Sequence, residues 1–234
     1  MCSRFTPGKS TNATMAQCYF ITGTDTEIGK THATCALLGT AANQGLRSAG
    51  LKPVAAGTDA NGRNDDVVRI LAASNVVLPE RTVNPWLFKE PIAPHIAAKH
   101  TGIEITLEPI LTAFHKANVV ADLVLVEGVG GLYAPLSDSL TQPDLIRALD
   151  IPVILVIGLK LGCLNHALLT AAAIKQEGLR LAGWIGNRVD PEFLALDENL
   201  QTLKTSIQAP CLGILPYEPA ATAASLASHL SLPQ

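Results

Sequence analysis

A short apolar run, Cys18-Tyr-Phe-Ile-Thr22, leads straight into Gly23-Thr-Asp-Thr-Glu-Ile-Gly29-Lys30-Thr31, and a helical pattern follows at once. No other feature restricts the fold of this chain as much. A strand, a glycine-bounded turn and a helix in that order turn backbone N–H groups inward around an anion. The helix start adds roughly half a positive charge. In such a loop the Lys30 ammonium bridges the β- and γ-phosphates of a nucleotide, and the Thr31 hydroxyl holds Mg²⁺. The spacing departs from G-x4-G-K-[ST] in one place, because Thr24 stands where the first glycine is expected. A second triplet, Gly8-Lys9-Ser10, has no strand before it and has Pro7 against it, and reads as a loop by chance.

The rest of the chain extends the same rhythm. After the helix at 30–44, strands are expected at 49–53, 123–127, 152–158, 181–186 and 212–215, with helices at 65–73, 107–118, 141–149, 165–177 and 192–207. Strands apolar on both faces and separated by helices imply a parallel sheet covered on both sides. The expectation is an α/β, P-loop NTPase-like single domain over 17–234. The proline-rich stretch 74–105 has no clear pattern. Residues 1–16 are polar, lack the apolar core of a signal peptide, and read as a disordered extension.

Composition agrees. In 234 residues, 48% are hydrophobic and 16% charged, a globular balance. A net charge of −3 argues against a general nucleic-acid surface. The run Ile151–Leu159 is about half of the ~18 apolar residues that span a bilayer, so no membrane is implied. The five cysteines are scattered, odd in number and without CxxC, which reads as reduced thiols in a cytoplasmic protein.

A phosphate loop alone names no reaction; the strand ends must. Glu127 closes Leu-Val-Leu-Val-Glu before Gly128-Val-Gly130-Gly131, and Asp66 follows the second strand in Asn64-Asp65-Asp66. Mg²⁺ beside phosphates takes few protein carboxylates, so Thr31, Asp66 and Glu127 form a candidate metal set. Glu127 could instead cap the following turn, and Asp66 could be an ordinary helix N-cap. Lys52, in Leu51-Lys52-Pro53-Val54, ends a buried strand, where it either faces the ligand or is solvated.

With these residues in view the chain resembles the dethiobiotin synthetases, ATP-dependent ligases of biotin biosynthesis, from about residue 18 onward. The resemblance rests on 23–31, Lys-Pro-Val-Ala at 52–55, Val-Asn-Pro at 83–85 and Glu-Pro-Ile-Ala-Pro-His at 90–95. It continues through Val-Glu-Gly-Val-Gly-Gly at 126–131, Pro-Leu-Ser at 135–137 and Pro-Val-Ile-Leu-Val at 152–156. Lys-Leu-Gly-Cys-Leu-Asn-His-Ala at 160–167 and Leu-Ala-Gly-Trp-Ile at 181–185 complete it.

The resemblance implies a reaction of 7,8-diaminononanoate, CO₂ and MgATP, giving dethiobiotin, ADP and phosphate. It implies Lys52 and Lys30 as catalytic residues. Glu27, Ile28, Gly29, Lys30, Thr31 and His32 would line the triphosphate, and Glu127, Gly128, Val129 and Gly130 the metal and phosphate. Asn187, with Arg188 beside it, would read adenine, and Pro216, Tyr217 and Glu218 would flank the base. Thr26, Lys52, Ala56 and Asn165 would meet the substrate. The family is homodimeric, so Asn165, read as a helix N-cap, would receive the substrate carboxylate across the interface.

Two positions depart from the family. Ala56 replaces a frequent serine, a hydroxyl lost unless Thr58 supplies it, and Arg188 replaces an acidic residue seen in some members. His95 and His166 show no metal spacing, and His166 reads as a core histidine. The alternative is a P-loop switch ATPase of the partitioning or iron-protein kind, but the extra lysine of such loops falls where this chain has Thr24. An amidoligase of the cobyrinate type would need a further glutamine-hydrolysing domain.

Overall fold

Parallel pairing carries all the functional strand ends to one edge of a single sheet. The computed structural model describes residues 16–233. The extension at 1–16, all but its last residue, lies outside these residues, as do the Gly8-Lys9-Ser10 triplet and Cys2.

Strands β1 (Gln17–Gly23), β2 (Ser48–Leu51), β5 (Leu123–Glu127), β6 (Val153–Leu159), β7 (Leu181–Arg188) and β8 (Cys211–Leu215) form one six-stranded sheet in the order β2-β5-β1-β6-β7-β8. Every pairing in it is parallel. Successive side chains of a strand point to opposite faces, and here both faces are dry. Phe20, Val124, Val126, Leu155 and Ile157 enter one core, whereas Ile21, Leu123, Leu125, Ile154 and Val156 enter the other. Helix α1 (Lys30–Asn43) covers the second face through Ala33, Ala36, Leu37 and Ala41. Helices α5 (Leu107–Val120), α6 (Gln142–Leu149) and α7 (Cys163–Gln176) contribute Ile110, Ile146 and Ile174 to the first.

The proline-rich stretch contains structure that its pattern does not announce. Val54–Ala56 (β3) and Trp86–Phe88 (β4) form a separate two-stranded parallel sheet, followed by helix α4 (Pro94–Thr101). Strands of three residues are too short for a period of two to register, and they exist because Val54, Ala55 and Phe88 bury into the first core. Helix α2 (Asp65–Ala73) starts where expected.

Three boundaries differ in ways that matter later. β2 ends at Leu51, so Lys52 lies just past the strand. Helix α7 begins at Cys163 after a left-handed Gly162, which makes Asn165 its third residue and not its N-cap. The last expected helix starts at Leu196 (α8, Leu196–Ser206) and not at 192, because the buried Phe193 and the left-handed Ala195 turn the chain there.

Candidate active site

Glycine is needed at position 29 for two independent reasons. Its φ is +81°, a conformation costly for any residue with a Cβ, and a Cβ there would stand 2.1 Å from Nδ2 of Asn187. Glu27 takes a left-handed φ of 58° without being glycine, so the loop stores strain at its tip. Between these two residues the buried Ile28 packs under the loop. Its carbonyl accepts from Asn187 Nδ2 at 2.9 Å, which ties the end of β7 to the loop. The loop opens into a cavity of about 710 Å³ at the carboxyl ends of the strands, the position ligands take in open parallel sheets.

Most of the expected residues meet in this cavity. Thr26, Glu27, Gly29, Lys30, Thr31, His32, Lys52, Ala56, Asp66, Glu127, Val129 and Gly130 all line it. Thr58 is not among the residues that line it. Ile28 and Gly128 support the cavity from behind. Asn187, Arg188 and the 216–218 segment sit at the ends of β7 and β8, outside its lining. Glu218 is nonetheless close enough to act on the His32 ring.

The electrostatics of the cavity centre on Lys52. Its side chain is 4% exposed, and its Nζ lies 2.7 Å from Glu127 Oε1 and 2.9 Å from Asp66 Oδ2. The Gly128 carbonyl accepts from it as well, at 3.2 Å. Burial works against the ammonium, but Glu127 and Asp66 outweigh it and hold Lys52 charged, its pKa above the ordinary lysine value. In turn, burial alone would raise the Asp66 carboxyl; Lys52, the Thr31 hydroxyl and Lys30 bring it below the usual carboxylate range. Lys30 is the opposite case. Burial, and then the charge of Lys52, push it down to about 8 against the pull of Glu127, Asp66 and Asp25. Its Nζ donates only to the Asp25 carbonyl, at 2.9 Å.

The alternatives left open by the sequence close here. The N-cap of α2 is Asn64, which accepts from Val67 N, so Asp66 is free to face the cavity. Glu127 caps nothing; it accepts from Lys52 and from the hydroxyls of Thr31 and Thr34.

Thr31 Oγ1 lies 2.6 Å from Asp66 Oδ1 and 2.7 Å from Glu127 Oε1. A hydroxyl has one proton to donate, so three oxygens converge with too few protons between them. A divalent cation would resolve that crowding, and the donor set of two carboxylates and a hydroxyl fits Mg²⁺ beside a polyphosphate.

Several functional residues escaped the sequence reading. Thr34 donates to Glu127 Oε2 at 2.6 Å and orients the carboxylate; its place three residues after Thr31, on the same side of α1, was the available signal. Gln142, 1% exposed, accepts from Val129 N at 2.9 Å and donates to Val129 O at 2.8 Å, pinning the glycine loop after β5. Arg69 and the segment Pro91–Pro94 form further walls of the cavity. Only Pro91–Pro94 had a sequence signal, as part of the family motif at 90–95.

One expectation fails on position, and one is only half met. Asn165 is exposed on α7 and lies outside its own chain's cavity; only its reading as the helix N-cap is overturned, because Gly162 holds that place. His166 is exposed too and is no core histidine, because it falls on the outer side of that helix.

Parallel sheet, phosphate loop and metal-type carboxylates together define a P-loop nucleotide-binding protein, and the family model described as an AAA domain matches residues 17–225. Among solved structures, the ParA family ATPase from Chlorobium tepidum is similar with a TM-score of 0.54 at 16% identity, covering 92% of this chain and 91% of that one. MinD from Aquifex aeolicus is similar with a TM-score of 0.53 at 15% identity, covering 92% and 88%. At such identities the likeness concerns the fold alone.

Much stronger is the match to ATP-dependent dethiobiotin synthetases. The Ralstonia nicotianae protein is 53% identical over 91% of this chain and 94% of its own length. The Aromatoleum aromaticum protein is 48% identical over 94% and 99%, and the Nitrosospira multiformis protein is 47% identical over 93% and 96%. The chain belongs to the ATP-dependent dethiobiotin synthetase family.

Proposed function

We propose that this chain converts 7,8-diaminononanoate, CO₂ and MgATP into dethiobiotin, ADP and phosphate, with Lys52 and Lys30 as its catalytic cations. The observation that carries this reading is the buried Lys52, facing Asp66, Glu127 and the phosphate loop in one cavity. A second fixed cation opposite the loop lysine is what a reaction between two anions needs.

One substrate amine adds to CO₂ and loses a proton, giving an anionic carbamate. A carbamate oxygen attacks the γ-phosphorus, and the β–γ bridging oxygen leaves with ADP. The second amine then attacks the carbonyl of the mixed anhydride, phosphate departs, and loss of a proton leaves the cyclic urea. The first difficulty is electrostatic, because carbamate and γ-phosphate repel across a water-poor cleft. Lys30 neutralises the phosphate side and Lys52 the carbamate side, and together they align attacking oxygen and phosphorus. Thr31, Asp66 and Glu127 would hold Mg²⁺, which supplies charge neutralisation on the phosphate oxygens. Thr26 and Ala56 would border the diamine. Asn187, Arg188 and the segment Pro216, Tyr217, Glu218 would receive the base.

The enzyme works as a homodimer in this reading. Asn165 then reaches a neighbouring subunit's cavity, and the exposed Leu161 and Leu169 beside it, 91% and 63% accessible, support burial against a second copy. The compartment is the cytoplasm, which the free thiols of Cys18, Cys35, Cys163 and Cys211 support. Among the described residues no helix is long and apolar enough to cross a membrane.

The test is mass detection of dethiobiotin from the diamine, bicarbonate and MgATP. Product and diamine-dependent ADP release are expected. ATP turnover that ignores the diamine would instead favour a switch ATPase.

A further inference from the structure

Helix α2 meets the start of α1 at two adjacent points. Asp66 Oδ1 accepts from Thr31 Oγ1 at 2.6 Å, and one turn on Arg69 Nη2 lies 3.3 Å from Nδ1 of His32. Residues three apart share a helix face, so the face that brings a carboxylate to the phosphate loop also brings a guanidinium. Arg69 and His32 both line the cavity with Lys30, Thr31 and Lys52.

The pair is arranged for holding, not for mutual repulsion. A guanidinium can only donate, so at 3.3 Å the Arg69 Nη2–H gives its hydrogen bond to His32 Nδ1, and the other ring nitrogen carries the histidine's proton. Asp65, 84% exposed and 3.9 Å from Nη1, adds only a weak solvated tether. A guanidinium carries five N–H donors, so these two contacts leave donors for a ligand. Held at the edge of a phosphate-binding cavity, a planar fork of donors matches phosphate oxygens in pairs.

We infer that Arg69 is a second cationic side chain, beside Lys30, that binds the nucleotide's phosphate chain, with His32 as the residue that positions it. The inference rests on the nucleotide reading of this cavity. It adds a cation from outside the phosphate loop, carried by α2, and gives His32 a role as an orienting group.

Calorimetric titration of wild type, Arg69→Ala, Arg69→Lys, His32→Ala and the double variant with MgADP, MgATP and adenosine tests it, alongside steady-state kinetics. Arg69→Ala is expected to weaken MgADP and MgATP by about tenfold or more, the scale of a charge-assisted hydrogen bond, and to leave adenosine unchanged. KM for ATP should rise more than kcat falls, and Arg69→Lys should recover part of the loss. His32→Ala should weaken the nucleotides less, and not at all once Arg69 is absent, because its effect passes through the guanidinium. Unchanged nucleotide affinity in Arg69→Ala overturns the inference, and so does an equal loss for adenosine. Additive effects of the two substitutions would overturn the role of His32. Failure of wild type to bind MgATP would be recognisable separately, because it removes the nucleotide reading itself.

Discussion

At Lys52 desolvation and charge oppose each other, and the two carboxylates prevail. Truncating it has two separable consequences. Turnover of Lys52→Ala should fall at least a hundredfold, roughly 2.7 kcal/mol of transition-state stabilisation, while MgATP affinity changes little. Calorimetry and kinetics on the same preparation read both, and lost nucleotide binding would move Lys52 into the nucleotide site. Asp66 and Glu127 would also be left without their cation, so metal-free Lys52→Ala should be less stable than wild type, and Mg²⁺ with ADP should recover part of the difference. Lys30→Ala should behave otherwise and lose binding and turnover together, since in the proposed reaction Lys30 would touch phosphate in ground and transition states alike. Glu127→Gln should keep a residual activity that responds to raised Mg²⁺; activity indifferent to the metal would remove Glu127 from the metal set. Thr34 was signalled only by its place three residues after Thr31, and Gln142 not at all, because a glutamine after a loop carries no motif until its partners are known.

Two helices carry the site, and each offers a handle. α2 delivers Asp66 and Arg69, and its start depends on Asn64, which accepts from Val67 N and donates to the Gly57 carbonyl at 2.7 Å. Asn64→Ala should cost about 1 kcal/mol in denaturant unfolding, with a larger loss in Mg²⁺ affinity than the lost cap alone explains, because Asp66 sits two residues into the helix. α1 carries the buried Cys35, whose thiol burial, with Glu127 next, pushes up to about 12 from an ordinary 9.0. Between those values the unfolded chain has lost this proton and the native one keeps it. The native state then binds more protons, so this thiol makes stability fall as pH rises from about 9 towards about 12. At pH 8 native Cys35 should resist iodoacetamide and react only after unfolding; rapid native labelling would mean that α1 opens readily. The boundaries of α1 and α2 were legible because apolar spacing and turn residues are local signals. That of α8 was not, because Phe193 leaves the helix to fill the core.

For the whole molecule the open question is the second subunit. Asn165 lies on α7, outside the cavity of its own chain. If it completes the site of a partner, mixing inactive Lys52→Ala chains with Asn165→Ala chains should restore activity, since one of the two mixed-dimer sites is then wild type. No gain over the sum of the parents would exclude a shared site. Leu169→Lys should shift sedimentation towards the monomer, because a charge would enter an apolar interface; an unchanged assembly would exclude that face.

By itself the sequence determined the phosphate loop, the alternating order of strands and helices, and the family, and it pointed to Lys30, Thr31, Lys52, Asp66 and Glu127 as candidates for the chemistry. The loop, the element order and the carboxylates rest on short-range signals: glycine where φ must be positive, an apolar run long enough for a strand, a charged residue at the run's end; the family and the role of Lys52 rest on motifs shared with the dethiobiotin synthetases. Tertiary structure decided what those residues do to one another. Residues 31, 34, 52, 66 and 127 converge because parallel pairing of β2 with β5 and of β5 with β1 brings their carboxyl ends to one edge. That juxtaposition keeps Lys52 charged in spite of its burial, weakens the hold of Lys30 on its proton, and sets Arg69 against His32. Burial and partner distance govern each of these effects, and neither quantity exists until the chain has closed on itself.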